Sequence, residues 1–543
     1  MKKIELSQFP STPDLVHETI SGIARVDFGF PVNTSSELWQ EKLERERKID
    51  RPRDILVDTL LEEANALVLP EQARQNIEAL RSPDTLAVVT GQQVGLAGGP
   101  LLTLYKALTT ISLARKMELE TGIRTVPVFW MATSDHNLPE TAQIHWIDKE
   151  NKLASYRAPA QDNRTPVGRL TLGPMATDML AALEHDLPIS EFSDELIGYL
   201  RAAYRPEYSF GEAFRSLGYS LLGPLGMVMF DPESEAVKRA ASPFWVPAVE
   251  DVDNRLEHLA IRSRDLRDNG YSVQAPVERG RPAIFLHEDG QRRKVVLEGR
   301  AIRARSDIIL SREDLLRIAE TSPENLSAGV TLRPHLQGYL LPTAAYVAGP
   351  HEMAYWAQLA GSFEGFGLSA PAVVPRASFT LIESKIQRRL DKLGLSPEDV
   401  FQNLEALSER LLQQRRDDRA ETLFSEIEEK LLATEKTVME LASEPEFAGL
   451  DNAVNTAYRK MEYHLEKLHG QFTDKLRRQN SDLINHLDRL FTHLRPAGRQ
   501  QERVLTPFYY FMRYGTAVRD GLARIAADTI GSHTMISIEE LTS

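Results

Sequence analysis

The chain has 543 residues, 42% hydrophobic and 26% charged, with 64 basic against 78 acidic side chains and a net charge of −14. That length exceeds a single core, so two to four structural units are expected, and the acidic balance argues against a broad nucleic-acid surface, which needs clustered basic charge. There is no cysteine, which excludes disulfides, a thiol nucleophile and thiolate-bound zinc.

Residues 1–139 read as N-terminal helices followed by the first half of an α/β core. The opening, MKKIELSQFP, has two lysines but no apolar segment behind them, unlike a secretory signal. Leu38, Leu43, Ile49, Ile55, Leu56, Leu60 and Leu61 recur among charges, and Pro70 opens a further helix to Leu80. Leu86 to Val89 then form an apolar strand that runs into Thr90-Gly91-Gln92-Gln93-Val94-Gly95-Leu96-Ala97-Gly98-Gly99-Pro100. Leu101, Leu104, Leu108, Ile111 and Ala114 have helical spacing, Pro100 suits a helix start, and Gly122 ends the helix. The strand Val126 to Met131 follows. This strand–helix–strand unit is the building block of a doubly wound parallel sheet.

Residues 140–225 read as a first inserted region, and 226–270 as a return to the core through the strand at Val228 and a helical stretch at 243–269. A second inserted region, 271–328, carries short strands near Ile284 and Val295. The core resumes over 329–381, with strands expected at 340–347 and 372–374. Over 382–500, Phe424, Ile427, Leu431, Thr434, Val438 and Leu441 alternate by three and four, as do Met461, Leu465, Leu468 and Phe472, with Ser443-Glu444-Pro445-Glu446 between the two runs. That pattern predicts an antiparallel coiled-coil hairpin. Residues 501–543 read as a helical segment returning to the core. No stretch reaches the roughly 18 uninterrupted apolar residues of a membrane span, so a cytoplasmic protein without membrane or nucleic-acid partners is expected.

Four motifs carry candidate chemistry. The glycine-rich turn after the first core strand lets a ligand approach the backbone and offers N–H groups to an anion; a tight structural turn is the other reading. It is neither a dinucleotide fingerprint nor a P-loop. After the second strand, Asp135-His136 is suited to orienting a substrate or moving a proton. His136 with His145 and Glu140 fits no familiar zinc spacing, and a simply hydrogen-bonded histidine remains open. The third segment is Leu332-Arg333-Pro334-His335-Leu336-Gln337 with Tyr346, Gly349, Glu352, Tyr355 and Trp356; its aromatic residues suit a pocket wall or a core equally, and Arg333 suits an anionic group. The fourth joins Arg376, Ser378 and Lys385 to Arg503, Tyr509 and Tyr510. Arginine with aromatics suits a nucleotide, or a buttress where the hairpin leaves the core.

The segments TGQQVGLAGGPLLTLYKA, VPVFWMATSDHN, GMVMFDPES, LRPHLQGYLLPTAAYVAGPHEMAYWAQL, VVPRASFTLIESK and ERVLTPFYYFMRYG occur in this order. Together they resemble the signature blocks of the BshC family, assigned to the cysteine-adding step that completes bacillithiol synthesis. The resemblance implies an α/β fold: a Rossmann-like parallel-sheet core, similar to class I aminoacyl-tRNA synthetases and the mycothiol cysteine ligase. It further implies two connecting-peptide insertions and a C-terminal antiparallel coiled coil used for homodimerisation. The implied reaction joins cysteine to glucosaminyl-malate by an amide bond, with ATP or ADP and Mg²⁺ and no structural metal. Neither synthetase signature is present literally, although Ser378 and Lys385 fall where the second would stand, so that mechanism does not transfer residue by residue.

On this reading Asp135 and His136 orient or deprotonate the amine. Thr90, Gly91, Gln92, Gln93, Gly98, Gly99, Arg333, Gln337, Tyr346, Gly349, Glu352 and Trp356 form the substrate pocket. Arg376, Ser378, Lys385, Arg503, Tyr509 and Tyr510 are an alternative nucleotide pocket at the base of the coiled coil. The rival reading is a nucleotide-binding assembly or scaffold protein that acts through its hairpin. Transfer-RNA aminoacylation is disfavoured by the acidic charge and the missing signatures.

Overall fold

Five short apolar segments, rich in β-branched and aromatic residues, form the central sheet: Leu86–Gln92, Thr125–Met131, Val228–Phe230, Thr343–Ala348 and Ala372–Pro375. All neighbours are parallel. Strands buried on both faces need no polar alternation, and every residue of the five segments is buried except Gln92, where the first strand ends. Numbered along the chain, the strands lie in the order 3-2-1-4-5, the doubly wound arrangement. The first and fourth strands are therefore neighbours whose connections leave in opposite directions, which opens a crevice at their carboxyl ends.

The computed structural model describes residues 1–5, 9, 12–159, 165–298, 307–401, 403–414, 418–479 and 481–542. They form two units, 1–384 with 499–543, and 385–498. Part of the expected second insertion, 299–306, lies outside the described residues.

In the first unit, adjacent strand residues feed opposite faces. Phe129 and Met131 join a core with Leu104, Leu108 and Phe214, while Val128 and Trp130 join a second core with Tyr346, Trp245 and Trp356. The helix Leu101–Thr121 carries apolar residues around most of its circumference through Ala114, where it is covered on nearly all sides, and Gly122 closes it in a left-handed conformation with its N–H on the Glu118 carbonyl at 2.9 Å.

Three details differ from the sequence expectation. The first strand continues through Thr90, Gly91 and Gln92, which pair with Phe129, Trp130 and Met131; a glycine without a Cβ can stay in a ladder, so the glycine-rich turn is shorter than its composition suggests. Residues 333–340 form the helix Arg333–Leu340, with Pro334 in its first turn, and the fourth strand starts only at Thr343. Ser378–Ile382, to which the sequence assigns no element, is a strand. It pairs with Ser532–Ser537, which also pairs with Lys2–Glu5, so the chain ends meet in a three-stranded sheet that the helical readings of both termini missed.

In the second unit, Asp418–Ala442 and Asp451–Gln479 are long helices packed on one another, joined through Pro445–Phe447. Phe424 stacks on His469 at 4.6 Å and meets the edge of Phe472 at 5.4 Å. Among the described residues, no helix is long and apolar enough to cross a membrane.

Candidate functional site

Two adjoining cavities, about 350 and 310 Å³, open at the carboxyl ends of the core strands and share Gln92, Gln93, Leu102 and Arg503. The first lies at the crevice between the first and fourth strands, with Gly91 and Gln92 from one and Tyr346 and Gly349 at the other. Glycine is favoured here by close approach: a Cβ at Gly91 would stand 3.2 Å from the Trp130 carbonyl and 3.3 Å from the Tyr346 hydroxyl, so both would have to give way slightly. At Gly99 the requirement is conformational, since φ is +76° and a Cβ would stand 3.0 Å from the Thr103 hydroxyl.

A buried polar array forms the wall of the first cavity. Lys106 donates to the Gly91 carbonyl at 2.8 Å and to Gln92 Oε1 at 2.9 Å, and pairs with Glu352. An ammonium has donors only, so Gln92 must turn its oxygen to Lys106 and leave its NH₂ end for the cavity. Glu352 also accepts from the Gly349 N–H at 2.7 Å and from the Tyr346 hydroxyl at 2.9 Å. Arg333 donates to the hydroxyls of Tyr355 at 2.7 Å and Tyr346 at 3.2 Å, and to Gln337 Oε1 at 3.3 Å. Burial lowers the Lys106 pKa against the pull of Glu352. Burial alone would raise the Glu352 carboxyl, but Lys106 and the Gly349 N–H hold it below the usual range. The result is a charged pair whose members stay ionised only together.

The predicted residues divide sharply. Gly91, Gln92, Gln93, Arg333, Tyr346, Gly349 and Glu352 line the first cavity together with Arg376 and Arg503, and Gly99 lines the second. Thr90 is buried with its hydroxyl on the Val347 carbonyl at 2.8 Å. Gln337 is buried behind Arg333. Trp356 lies in the core, its ring 4.9 Å from that of Tyr346 and 5.9 Å from that of Phe363. Gly98 borders a small apolar cavity with Phe129 and Leu217.

Asp135 and His136 are not in the wall of either cavity. The Asp135 carboxylate accepts the backbone N–H groups of His136 at 2.7 Å and Asn137 at 3.2 Å, and the Gln93 amide. It therefore ties down its own turn and reaches the cavity only through Gln93. The His136 ring is 54% exposed, with Nδ1 3.9 Å from Asp135.

The alternative nucleotide set separates as well. Arg376 and Arg503 line the first cavity, but Arg376 is held by Glu502 at 2.6 and 2.9 Å. Ser378 is buried between Glu502 at 2.9 Å and His533 at 2.7 Å. Tyr509 and Tyr510 are core residues, with the Tyr509 hydroxyl on Glu383 at 2.9 Å, so neither ring is open to a base. Lys385 begins the second unit.

Sequence reasoning missed Lys106, although it is the one charged residue between 101 and 114 in an apolar helix, and that isolation was the available signal. It also missed Thr103, Arg499 and Thr506, and weighed His145 only as a zinc ligand; all four line the second cavity. Among the described residues, no three histidine, aspartate or glutamate side chains gather as a metal site.

Comparison with known proteins agrees with this architecture. The family described as "Bacillithiol biosynthesis BshC, N-terminal Rossmann-like domain" matches residues 1–377, and the corresponding C-terminal coiled-coil domain matches 379–538. The chain is 35% identical over 492 residues to a protein of Salinibacter ruber, covering 90% of this chain and 89% of the relative. It is 30% identical over 545 residues to one of Koribacter versatilis, covering 98% and 99%. It is 33% identical over 488 residues to one of Heliobacterium modesticaldum, covering 86% and 85%. All three carry the name "Putative cysteine ligase BshC". With matches running through both units, the chain belongs to the bacillithiol-biosynthesis BshC family.

Proposed function

We propose that the chain is a cytoplasmic ligase that joins the carboxyl group of cysteine to the amine of glucosaminyl-malate, with ATP and Mg²⁺ as cosubstrate and ion. Family membership supports the reaction class, and the cavity at the sheet crevice supports its site. The observation that carries the site is Arg333, a guanidinium held by two tyrosine hydroxyls on the cavity wall. Such a fork is suited to a substrate carboxylate.

A free carboxylate is a poor electrophile; its oxygen attacks a phosphorus of ATP, displacing pyrophosphate or ADP according to the phosphorus attacked, and the resulting mixed anhydride is the activated acyl group. The amine nitrogen then forms the C–N bond and loses a proton, while one carboxylate oxygen departs with the nucleotide-derived phosphate. The protein's share is to hold the two substrates in register, with the Gln92 NH₂ and Arg333 as donors on one wall.

Mass spectrometry of purified full-length protein with cysteine, glucosaminyl-malate, ATP and Mg²⁺ tests this reading. Product is expected only with ATP, and Arg333→Ala should lower turnover by about 10²-fold or more, the scale of one charge-assisted contact realised in the transition state. Product formed equally without ATP would overturn the nucleotide dependence. Undiminished turnover in Arg333→Ala would remove this cavity from the reaction.

The hairpin is proposed to pair with a second copy. Leu432 is 65% exposed, Phe472 49% and Leu441 48%, and apolar side chains left open on a helix pair offer surface to a partner helix. Sedimentation of the full chain should give a dimer, and a monomer at micromolar concentration would remove this role.

A further inference from the structure

The second cavity differs from the first in charge. Arg499, Arg503 and His145 line it, and among the described residues no aspartate or glutamate does. This is unusual in a chain with a net charge of −14. In the first cavity Lys106 meets Glu352 and Arg376 meets Glu502. Arg499 and Arg503 form no ion pair among the described residues, although Glu502 attracts Arg503; the Arg503 side chain donates to Gln500 Oε1 at 2.9 Å.

Two further features of this cavity are unexplained by the fold alone. Thr103 and Thr506 are 5% and 1% exposed, both line it, and both hydroxyls lack a hydrogen-bond partner. Buried polar groups are normally satisfied, so two orphaned hydroxyls along one cavity mark a missing partner. The helix Leu101–Thr121 also starts here, with Pro100, Leu102 and Thr103 in the wall. Its first turn presents the positive end of a 21-residue helix.

We infer that the second cavity is an oxyanion subsite, taking a phosphate or carboxylate group of a ligand that also enters the first. Arg503, Arg499 and the start of the helix supply the charge, and the Thr103 and Thr506 hydroxyls supply oriented donors. The charges around it are mostly positive: burial chiefly, then Arg499 and Arg157, lower the His145 pKa, and burial chiefly, then Arg376 and Arg499 against the opposing pull of Glu502, lower that of Arg503. An anion relieves that mutual repulsion. Gln92, Gln93, Leu102 and Arg503 are common to both cavities, so a single ligand can span them. The inference rests on the ligase reading only for the two sources it considers: the phosphate chain of the nucleotide and the carboxylates of the malyl group.

Isothermal titration of the full-length protein at low ionic strength, with inorganic tripolyphosphate and separately with malate, tests it. At least one anion should bind. Arg503→Gln should weaken that binding about tenfold, the scale of a lost charge-assisted bond, and Thr506→Val about fivefold, the scale of a neutral one. Arg333→Gln, in the first cavity, should change it less than about twofold. Arg499→Gln, at an exposed position, provides a charge removal that leaves the core packing untouched. Selectivity for tripolyphosphate identifies the nucleotide's phosphates, and selectivity for malate identifies the substrate's carboxylates. No binding of either anion, or binding insensitive to Arg503, Arg499 and Thr506 while lost in Arg333→Gln, overturns the subsite. Product formation is read separately, so a ligase without this subsite, and a subsite in a protein without ligase activity, are distinguishable results.

Discussion

Lys106–Glu352 in the first unit and Lys430–Glu426 in the hairpin are both lysine–glutamate pairs, yet their settings are opposite. The first pair has side chains 4% and 21% exposed and further bonds to Gly91, Gln92, Gly349 and Tyr346. The second is 79% and 56% exposed at 3.9 Å. Water screens the hairpin pair and would solvate either member alone; around the cavity burial leaves a lost partner only incompletely replaced. The same chemistry is therefore decisive in one unit and nearly neutral in the other.

The sharpest way to break this comparison is to remove one buried partner. Lys106→Met should leave Glu352 without its closest counter-charge, with only the weaker pull of Arg333 remaining, and cost about 3–5 kcal/mol in denaturant unfolding. Adding Glu352→Gln should recover a large part of that loss, because neutral groups of similar shape are no longer in conflict. A single variant as stable as the parent would mean that water reaches the pair freely.

Protons probe the same property. Burial chiefly pushes His533 down to about 4 and His335 down to about 3; His533 is fixed between Ser378 at 2.7 Å and Thr380 at 2.8 Å. Both are neutral in the folded chain, whereas in the unfolded chain they titrate near 6.5. Between those values the unfolded state binds more protons, so stability present at neutral pH is lost as pH falls from 6.5 towards 4. Each histidine contributes a slope of about 1.4 kcal/mol per pH unit in that window. His533→Gln should flatten the measured slope by about that amount; an unchanged slope would mean that the imidazole is protonated in the fold.

The comparison also explains what was legible in the sequence. Phe424, Leu431 and Val438 announce a helix pair because one face meets water and the other does not, which imprints a three–four spacing. The core strands and the helix after Pro100 are legible from unbroken apolar runs and from glycine and proline at their ends. Strand-end motifs also located Gly91, Gln92, Arg333, Tyr346 and Glu352. What they could not tell is which neighbour points into the cavity: Thr90 and Gly91 are adjacent, and strand alternation sends one to the sheet interior and the other to the wall. Tyr509 and Tyr510 beside arginines read the same whether they stack on a base or fill a core. Arg503 and Thr506 join Gln92 and Thr103 only because the chain returns some 400 residues later, and no local pattern encodes that return.

The smallest expected effect lies in the hairpin. Lys430→Ala removes one member of an i, i+4 pair in a helix whose surroundings are solvent, and alanine is itself a strong helix former. The lost attraction, about 0.3–0.5 kcal/mol for such a pair, is offset by the gain in propensity, so the melting temperature should move by less than about 1 °C and fall to the same value at 0.5 M salt as the parent's. A larger, salt-sensitive loss would mean that Lys430 is partnered across an interface rather than along its own helix. Dilution then separates the two cases: a contribution made within one chain is independent of protein concentration, and one made between two copies fades as the copies dissociate.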